Sequence, residues 1–394
     1  MAQYPQYAPD FRIQINDSDM PAVVRSAVTS VRYEDGRDAA DRVEINIANA
    51  DLRFLKQHIR GLGFSPFSSS TSMSPVSASQ LAPPGTFDID NTISLSMGYA
   101  PDPLENMFLG EITGVRVNFP NGGMPSMSVV AHDYMNRLQR SKISRGFGFL
   151  PDALIAMILS AENLLLPMID PTVFAASTAI AVVNYIFGGT GRKQAGRTDF
   201  ELLQEIAATY DSDFWVDGRV LYLSRFIKDF TPRLTLTWGQ NLLDFTPQVT
   251  TIGQVAGVGM RFSLRPIPLD FLVSVYYDFD RESLGFLVVP GAAAASAQQL
   301  IGPLLTLIDQ PIGSPADITN SALVIAHELR QKINNRLTGS GSAIGDVRIR
   351  AGALIRIEGL GPDFSGDYRV VNATHTIDSS GYRTAFQVRK ELIP

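Results

Sequence analysis

The chain has 394 residues, 45% of them hydrophobic and 18% charged, with a formal net charge of −6; that length allows two to four domains and a sizeable core. The acidic balance disfavours nucleic acid and anionic lipid as partners. The absence of cysteine excludes disulfide scaffolds, thiolate zinc sites and cysteine nucleophiles.

MAQYPQYAPDFRIQIND has neither a basic n-region nor an apolar h-region, so no secretory signal is expected. PDFRIQIND and DRVEINIANA alternate as strands do, with Phe11, Ile13 and Ile15, then Val43, Ile45 and Ile47, on one face. AVTSVRYED between them reads as a third strand. The Ser/Pro-rich stretch 64–85 has no periodicity and reads as a surface loop. Strands resume with TFDIDNTISLSMGYAP, MFLGEITGVRVNF and SMSVVAHDY. Six or seven short strands at such spacing predict a closed barrel or sandwich.

The pattern turns helical near Gly146. PDALIAMILSAENLL carries Leu154, Ile155, Ile158 and Leu159 at helical spacing, with Asp152 placed to suit the helix dipole. The uncharged run Pro171–Phe187 is marginal for a membrane span and diluted by Ser177, Thr178 and Asn184, so a buried helix is expected. TDFELLQEIAATYDSDF predicts a helix with Thr198 as N-cap, Glu201 completing a capping box, and Phe200, Leu203, Ile206 and Ala207 as the stripe. WVDGRVLYLSRF reads as a hairpin turning at Asp217-Gly218. LTLTWG, VAGVGMRFSL and FLVSVYYDF are strand-like; 285–317 is Ala-rich and poorly patterned; 321–337 predicts a helix capped by Asn320 or Ser321. DVRIRAGALIRIEG, GDYRVVNATHTID and SSGYRTAFQVRKEL end the chain as strands. No repeat of fixed period is evident.

Catalytic signatures mostly fail. AHELRQK begins like a zincin helix, but Gln331 stands where a second His is required, and His58, His132, His327 and His375 are far apart in sequence. His327 therefore reads as a helix-surface residue. FGGTGRKQAG lacks the spacing and the Ser/Thr after Lys193 that a nucleotide loop needs, and reads as a flexible loop joining two helices. GSGSAIG (339–345) lacks a nucleophile elbow and reads as a linker. Carboxylates cluster in DSDFW (211–215) and YDFDRES (277–283). The alternation Asp278, Asp280, Glu282 would share one strand face, an incomplete ligand set for a hard cation and more simply a solvated face. The Asn372-Ala373-Thr374 glycosylation match carries no weight without a secretory signal. No catalytic, cofactor or metal residues are assigned.

Five blocks together resemble the phage late control protein D family, which includes the hub of contractile phage tails and the hub portion of the spike protein VgrG. They are Gly98-Tyr99 with Phe108, Gly110, Glu111 and Ile112; SVVAHDYMNRLQR (128–140); residues 192–225; residues 236–262; and the closing GDYRVVNATHTIDSSGYRTAFQVRKEL (366–392). Gly98, Gly239 and Gly366 suit positive φ or close approach at corners. Tyr368, Tyr382 and Phe386 suit aromatic pairing in strands, and His375 is expected to satisfy backbone groups near a turn.

The resemblance implies an α+β, mainly β chain: two β-barrel (tube-like) domains at about 1–146 and 216–394, joined by a helical segment at 147–215, with an irregular or helical insertion at 263–340. It implies a homotrimer whose six barrels adapt a six-fold tail tube to a three-fold spike. Since the interface is a ring, it must be heterologous and closed. The chain stops at Pro394, directly after the final hub strand, so the spike is expected to be a separate partner, alongside the tail tube and other baseplate proteins. The location expected is the baseplate of a phage or phage-like particle assembled in the bacterial cytoplasm. DNA or cargo would pass through the lumen without specific binding. No enzymatic activity or cofactor is expected. The alternatives are a tail-associated peptidoglycan hydrolase using Asp278 and Asp280, and a membrane-inserting protein acting through 150–187.

Overall fold

Strict alternation of apolar and polar side chains builds the first arm of the chain. The computed structural model describes residues 8–37, 39–48, 86–186, 191–225, 227–249, 257–264, 269–278, 283–290, 305–309, 327, 329–330 and 333–391. The first arm holds β1 (Ala8–Ile15), β2 (Ser18–Asp19), α1 (Ala22–Ser26), β3 (Val28–Gly36), β4 (Arg42–Ala48), β5 (Thr92–Ala100), β6 (Glu105–Asn118) and β7 (Ser126–Asp133). Val43, Ile45 and Ile47 of β4 are fully buried, as are Ile93, Leu95 and Met97 of β5. Each such side chain contributes about 1.5–3 kcal/mol relative to exposure.

The middle segment holds α2 (Met135–Gln139), β8 (Lys142–Gly148), α3 (Asp152–Glu162), β9 (Leu166–Ile169), α4 (Pro171–Ile186), β10 (Arg192–Thr198), α5 (Asp199–Thr209), β11 (Asp213–Asp217) and β12 (Val220–Ser224). The last arm holds β13 (Leu234–Thr237), β14 (Leu242–Val249), β15 (Gly257–Leu264), β16 (Leu269–Asp278), β17 (Ser283–Pro290), β18 (Leu305–Asp309), β19 (Leu337–Ile344), β20 (Leu354–Glu358), β21 (Gly366–Asp378) and β22 (Gly381–Arg389). The chain is mainly β, as expected.

The two arms share one sheet, in the order β14-β19-β22-β21-β3-β4-β7-β6-β5-β1-β2. The joint is β21, whose 13 residues serve both arms on one edge. Its first half pairs with β20 (Leu354↔Arg369) and its second half with β3 (Asn372↔Gly36 to Ile377↔Val31). Among the described residues this path is open rather than closed into a barrel within one chain. At one end β1 is covered: Met20 N–H donates to the Ile13 carbonyl (2.9 Å) and Arg25 to that of Phe11 (3.2 Å). At the other end β19 is the one strand paired with β14 among the described residues, beside an isolated bridge from Leu242 to Trp238. Smaller sheets are β10-β8, β11-β12-β9 and β17-β16-β15-β18.

Three apolar clusters follow the chain. One fills the first arm but also takes in Ile377 and Tyr382; one gathers Tyr134 to Leu223 around α3 and α5; one lies between Leu236 and Val388. The capping box on α5 is present: Thr198 Oγ1 accepts from Glu201 N (3.1 Å) and Glu201 Oε2 accepts from Thr198 N (2.9 Å).

Several expectations are corrected. The stretch 192–196 belongs to strand β10, not to a flexible loop, because its polar side chains are anchored: Arg192 pairs with Asp152 of α3, and buried Gln194 donates to Asp199 (2.9 Å). The 339–345 stretch is β19, a central strand rather than a linker, with Gly339, Gly341 and Ala343 buried in alternation. Small residues are needed there, since a Cβ on Gly341 would stand 2.6 Å from the Asp244 carbonyl and 3.2 Å from the Phe386 ring. Helix α4 is not buried: Val173, Ser177 and Ile180 face inward while Phe174, Val182, Tyr185 and Ile186 are exposed. The hairpin turns one residue later than expected, with Asp217 paired to Val220 and Gly218, at φ +56°, leading the two-residue loop. Residues 346–353 form turns rather than a strand, and the poorly patterned 285–317 region contains strands at 283–290 and 305–309. The Ser/Pro-rich 64–85 stretch and the Asn320/Ser321 cap lie outside the described residues. Among the described residues no helix is long and apolar enough to cross a membrane.

Candidate functional site

The alternation of β3 turns Val31, Tyr33 and Asp35 inward together, so a carboxylate is carried into the interior at the joint between the arms. Arg350, from the turn before β20, pairs with Asp35, and its Nη2 donates to the Tyr33 hydroxyl (2.9 Å). Ala351 N–H also donates to Asp35 (3.2 Å). The Tyr33 hydroxyl donates onward to Asp41 (2.7 Å), which also accepts from Gly36 N–H (3.1 Å). Asp133, closing β7, is buried, and its Oδ1 has no hydrogen-bond partner among the described residues. Asp35, Asp41, Asp133 and Arg350 line a narrow cleft of about 30 Å³ with Trp215 and Lys228, where all three segments of the chain meet.

Burial sets the protonation of this junction. Burial raises the Asp41 carboxyl to about 7, reinforced by the nearby charge of Asp35. Burial also pushes Asp133 well above the carboxylate range. Burial pushes Asp35 upward as well, yet the charges of Arg350 and Lys228 and the Arg350 hydrogen bond together outweigh it and hold the carboxyl below its ordinary value. An excess of carboxylates over cations in a desolvated space favours a bound proton.

His375 sits near the end of β21, three residues before the turn to β22, fully buried and stacked on Tyr33. Its Nε2 lies 2.9 Å from the Ile349 carbonyl, which can only accept, so Nε2 carries the proton. Nδ1 then accepts from the hydroxyls of Tyr382 (2.9 Å) and Thr384 (3.1 Å). Burial lowers the ring to about 4, aided by Arg350, so it is neutral at pH 7.

A second junction forms around Asp211 of the DSDFW cluster. Its carboxylate accepts from Arg330 and Arg225, both at 3.0 Å, while His327 Nδ1 stands 3.4 Å away. Asp213 adds contacts to Arg330 (3.6 Å) and Arg37 (3.5 Å). Burial pushes Asp211 upward, but His327, Arg330 and Arg225 outweigh it and hold the carboxyl low. His327 is thus part of an inter-segment network, not the surface residue expected. These ion pairs clamp segments together; removing one partner of a buried pair costs roughly 3–5 kcal/mol.

Of the YDFDRES carboxylates only Asp278 is among the described residues. β16 ends at Asp278, which pairs with Ser283 of β17, while Asp280 and Glu282 lie outside the described residues. Among the described residues no group of three His, Asp or Glu side chains could hold a metal. Tyr33, Asp35, Asp41, Asp133 and Arg350 escaped the sequence reading because 317 positions separate Tyr33 from Arg350. The inward phase of Asp35 was the one local signal.

The aromatic residues of the closing block behave as expected. Tyr368 and Phe386 both meet Phe245 (ring centroids 5.7 and 6.5 Å), and Tyr382 meets Tyr99 (5.5 Å). Tyr99 also donates to the Gly345 carbonyl (3.0 Å), tying the first block of the resemblance to the last arm. No protein-family model and no curated protein matches the sequence. Solved structures do. The 43 kDa tail protein of prophage MuSo2 from Shewanella oneidensis superposes with a TM-score of 0.59 at 11% identity, covering 97% of this chain and 98% of that one. The chain has the fold of phage tail proteins. A tail protein from Neisseria meningitidis MC58 gives a TM-score of 0.57 at 10% identity, covering 98% and 97%. This tail-protein fold agrees with the resemblance to late control protein D.

Proposed function

We propose that this chain is a structural hub in the baseplate of a phage-like particle, acting by assembly and without catalysis. The observation that carries this is the likeness to two tail proteins over almost the whole length of both partners, with the arms, middle segment and joint all included. Three copies form a closed ring that adapts a six-fold tube above to a three-fold spike below. Each chain contributes two tube-like units, about 1–146 and 216–394, linked by 147–215 and carrying the 263–340 insertion. The three apolar clusters support three units, although the middle one, Tyr134 to Leu223, reaches beyond 147–215 at both ends, and the sheet path, open among the described residues, supports closure between copies rather than within one. The partners are a separate spike protein, the tail tube and neighbouring baseplate proteins. The particle is assembled in the bacterial cytoplasm, and its lumen passes DNA or cargo without specific binding.

Light scattering coupled to size exclusion tests this on the full chain, alone and with the spike protein of its particle. A trimer, or a three-to-three complex with the spike, is expected. A monomer that ignores both spike and tube proteins would overturn the proposal.

A further inference from the structure

The cleft lined by Asp35, Asp41 and Asp133 also divides the first arm from the middle segment. All three carboxylates belong to the first arm, on or beside the adjacent strands β3, β4 and β7, so sheet pairing fixes their spacing. The facing wall is Trp215, Val216, Asp217 and Gly218 of the β11–β12 hairpin, which belongs to the middle segment. Among the described residues the sheet β11-β12-β9 shares no strand pairing with the first arm. The hairpin is seated by side chains instead. Arg219 in its turn donates to the Tyr134 hydroxyl (3.3 Å) and stands 5.3 Å over that ring, while Leu109 of β6 and Ala40, next to Asp41, pack into the same apolar cluster as Phe214 and Leu221.

Donors in the cleft fall short of acceptors. Asp35 takes Arg350 and the Ala351 N–H, and Asp41 takes the Tyr33 hydroxyl and the Gly36 N–H. Asp133 takes the N–H groups of Asp41 and Met135. Its Oδ1 nevertheless has no partner among the described residues, although only 6% of the residue is exposed. The charged and titratable groups facing the three carboxylates are Tyr33 from β3, Arg350 from the turn before β20, Lys228 from the connection after β12, Asp217 from β11 and His375 from β21. Burial keeps His375 neutral and the Tyr33 hydroxyl protonated, and Asp217 is exposed at the rim. Three inner carboxylates therefore stand against two cations, Arg350 and Lys228, both of which act on Asp35. An ionised Asp133 would leave a desolvated oxygen without a donor beside two like charges. A proton on it removes one charge and turns that oxygen into a donor.

We propose that Asp41 and Asp133 form a proton-operated latch: protonated, the pair keeps the β11–β12 hairpin seated on the first arm, and loss of a proton to solvent unseats it. The direction follows from which parts can move. Strands β3, β4 and β7 are hydrogen-bonded neighbours, so the carboxylates cannot part from one another. Their repulsion is relieved by water, and water enters when the hairpin wall lifts. Burial raises Asp41 to about 7 and Asp133 well above the carboxylate range, so the first proton leaves near neutrality while the fold is otherwise intact. His375 titrates near 4, outside that range. The latch lies within one chain and is independent of the hub reading, which stands or falls on its own test.

The test uses the full chain with Trp238→Phe, which leaves Trp215, half-buried on the cleft wall, as the sole tryptophan. Acrylamide quenching of its fluorescence is followed from about pH 5 to about pH 9, with far-UV circular dichroism to show that the fold persists. Quenching is expected to rise, with its half-change near pH 7. Asp41→Asn and Asp133→Asn, each fixed in an uncharged form, are expected to hold the low value to the top of the range. Infrared difference spectra of the chain without either Asn substitution give a readout that needs no variant to fold. The band of a protonated carboxyl is expected to disappear over the same interval in which quenching rises. Quenching that stays flat while the band disappears overturns the latch, as does a rise in quenching that both folded variants retain. A chain with no protonated carboxyl band below pH 7 overturns the bound proton itself.

Discussion

Substituting Asp41 by Asn probes the charged junction directly. In the folded chain Asp41 is raised from 3.8 to about 7, so between pH 4 and 7 the native state holds a proton that the unfolded chain has released. Stability from this group therefore falls as pH rises through that window, by up to about 4 kcal/mol at ~1.4 kcal/mol per unit. His375 acts in the opposite sense. Lowered from 6.5 to about 4, it stays neutral while the unfolded chain takes up a proton, so its contribution rises with pH over 4–6.5, by about 3 kcal/mol. The His375 slope offsets that of Asp41, while Asp133, raised in the same sense as Asp41, adds a fall common to wild type and variant. Asp41→Asn removes one of them and leaves a rise of ~1.4 kcal/mol per unit between pH 4 and 6.5 relative to wild type. Asn can still accept from Gly36, but the Tyr33 hydroxyl loses its acceptor, a cost of about 1 kcal/mol. Above pH 7 the variant should thus be more stable than wild type by about 1–3 kcal/mol. Urea unfolding followed by tryptophan fluorescence at pH 4.5 to 8 reads both quantities. A difference between variant and wild type that is constant with pH would refute the reasoning.

Replacing Arg350 by Ala strands the buried Asp35 carboxylate and should cost about 3–5 kcal/mol in the same assay. Gly341→Ala forces a methyl against the Asp244 carbonyl and should cost about 1–3 kcal/mol, whereas exposed Ser340→Ala should change stability by less than about 0.5 kcal/mol. Thr198→Ala removes the N-cap of α5 and should cost about 1 kcal/mol, read as a lowered midpoint of thermal unfolding by circular dichroism.

Local periodicity carried much of the architecture. β1, β4 and β5 alternate cleanly because one face is buried, and the capping box of α5 is a short-range motif whose partners lie three residues apart. β19 was missed because glycine and serine have no hydrophobic signal; its glycines are there to admit Phe245 and Phe386, which belong to other strands. α4 misled in the other direction, since an apolar, uncharged helix reads as buried although only Val173, Ser177 and Ile180 of it are. The charged junction was illegible for a different reason. Its members come from β3, the β3–β4 connection, β7, β21 and the turn before β20, and only the sheet order brings them together.

The pairing of β3 with β21 has a consequence for biosynthesis. Residues 31–36 find their partners in residues 372–377, and the first apolar cluster needs Ile377 and Tyr382. On the ribosome the first arm therefore cannot finish folding when it emerges, and β3 waits with an open edge while more than 300 residues are added. At roughly 5–20 residues per second that delay is tens of seconds, long enough for chaperones to hold the nascent edge and for neighbouring chains to compete for it. Native contacts of such large sequence separation also place this joint late in folding.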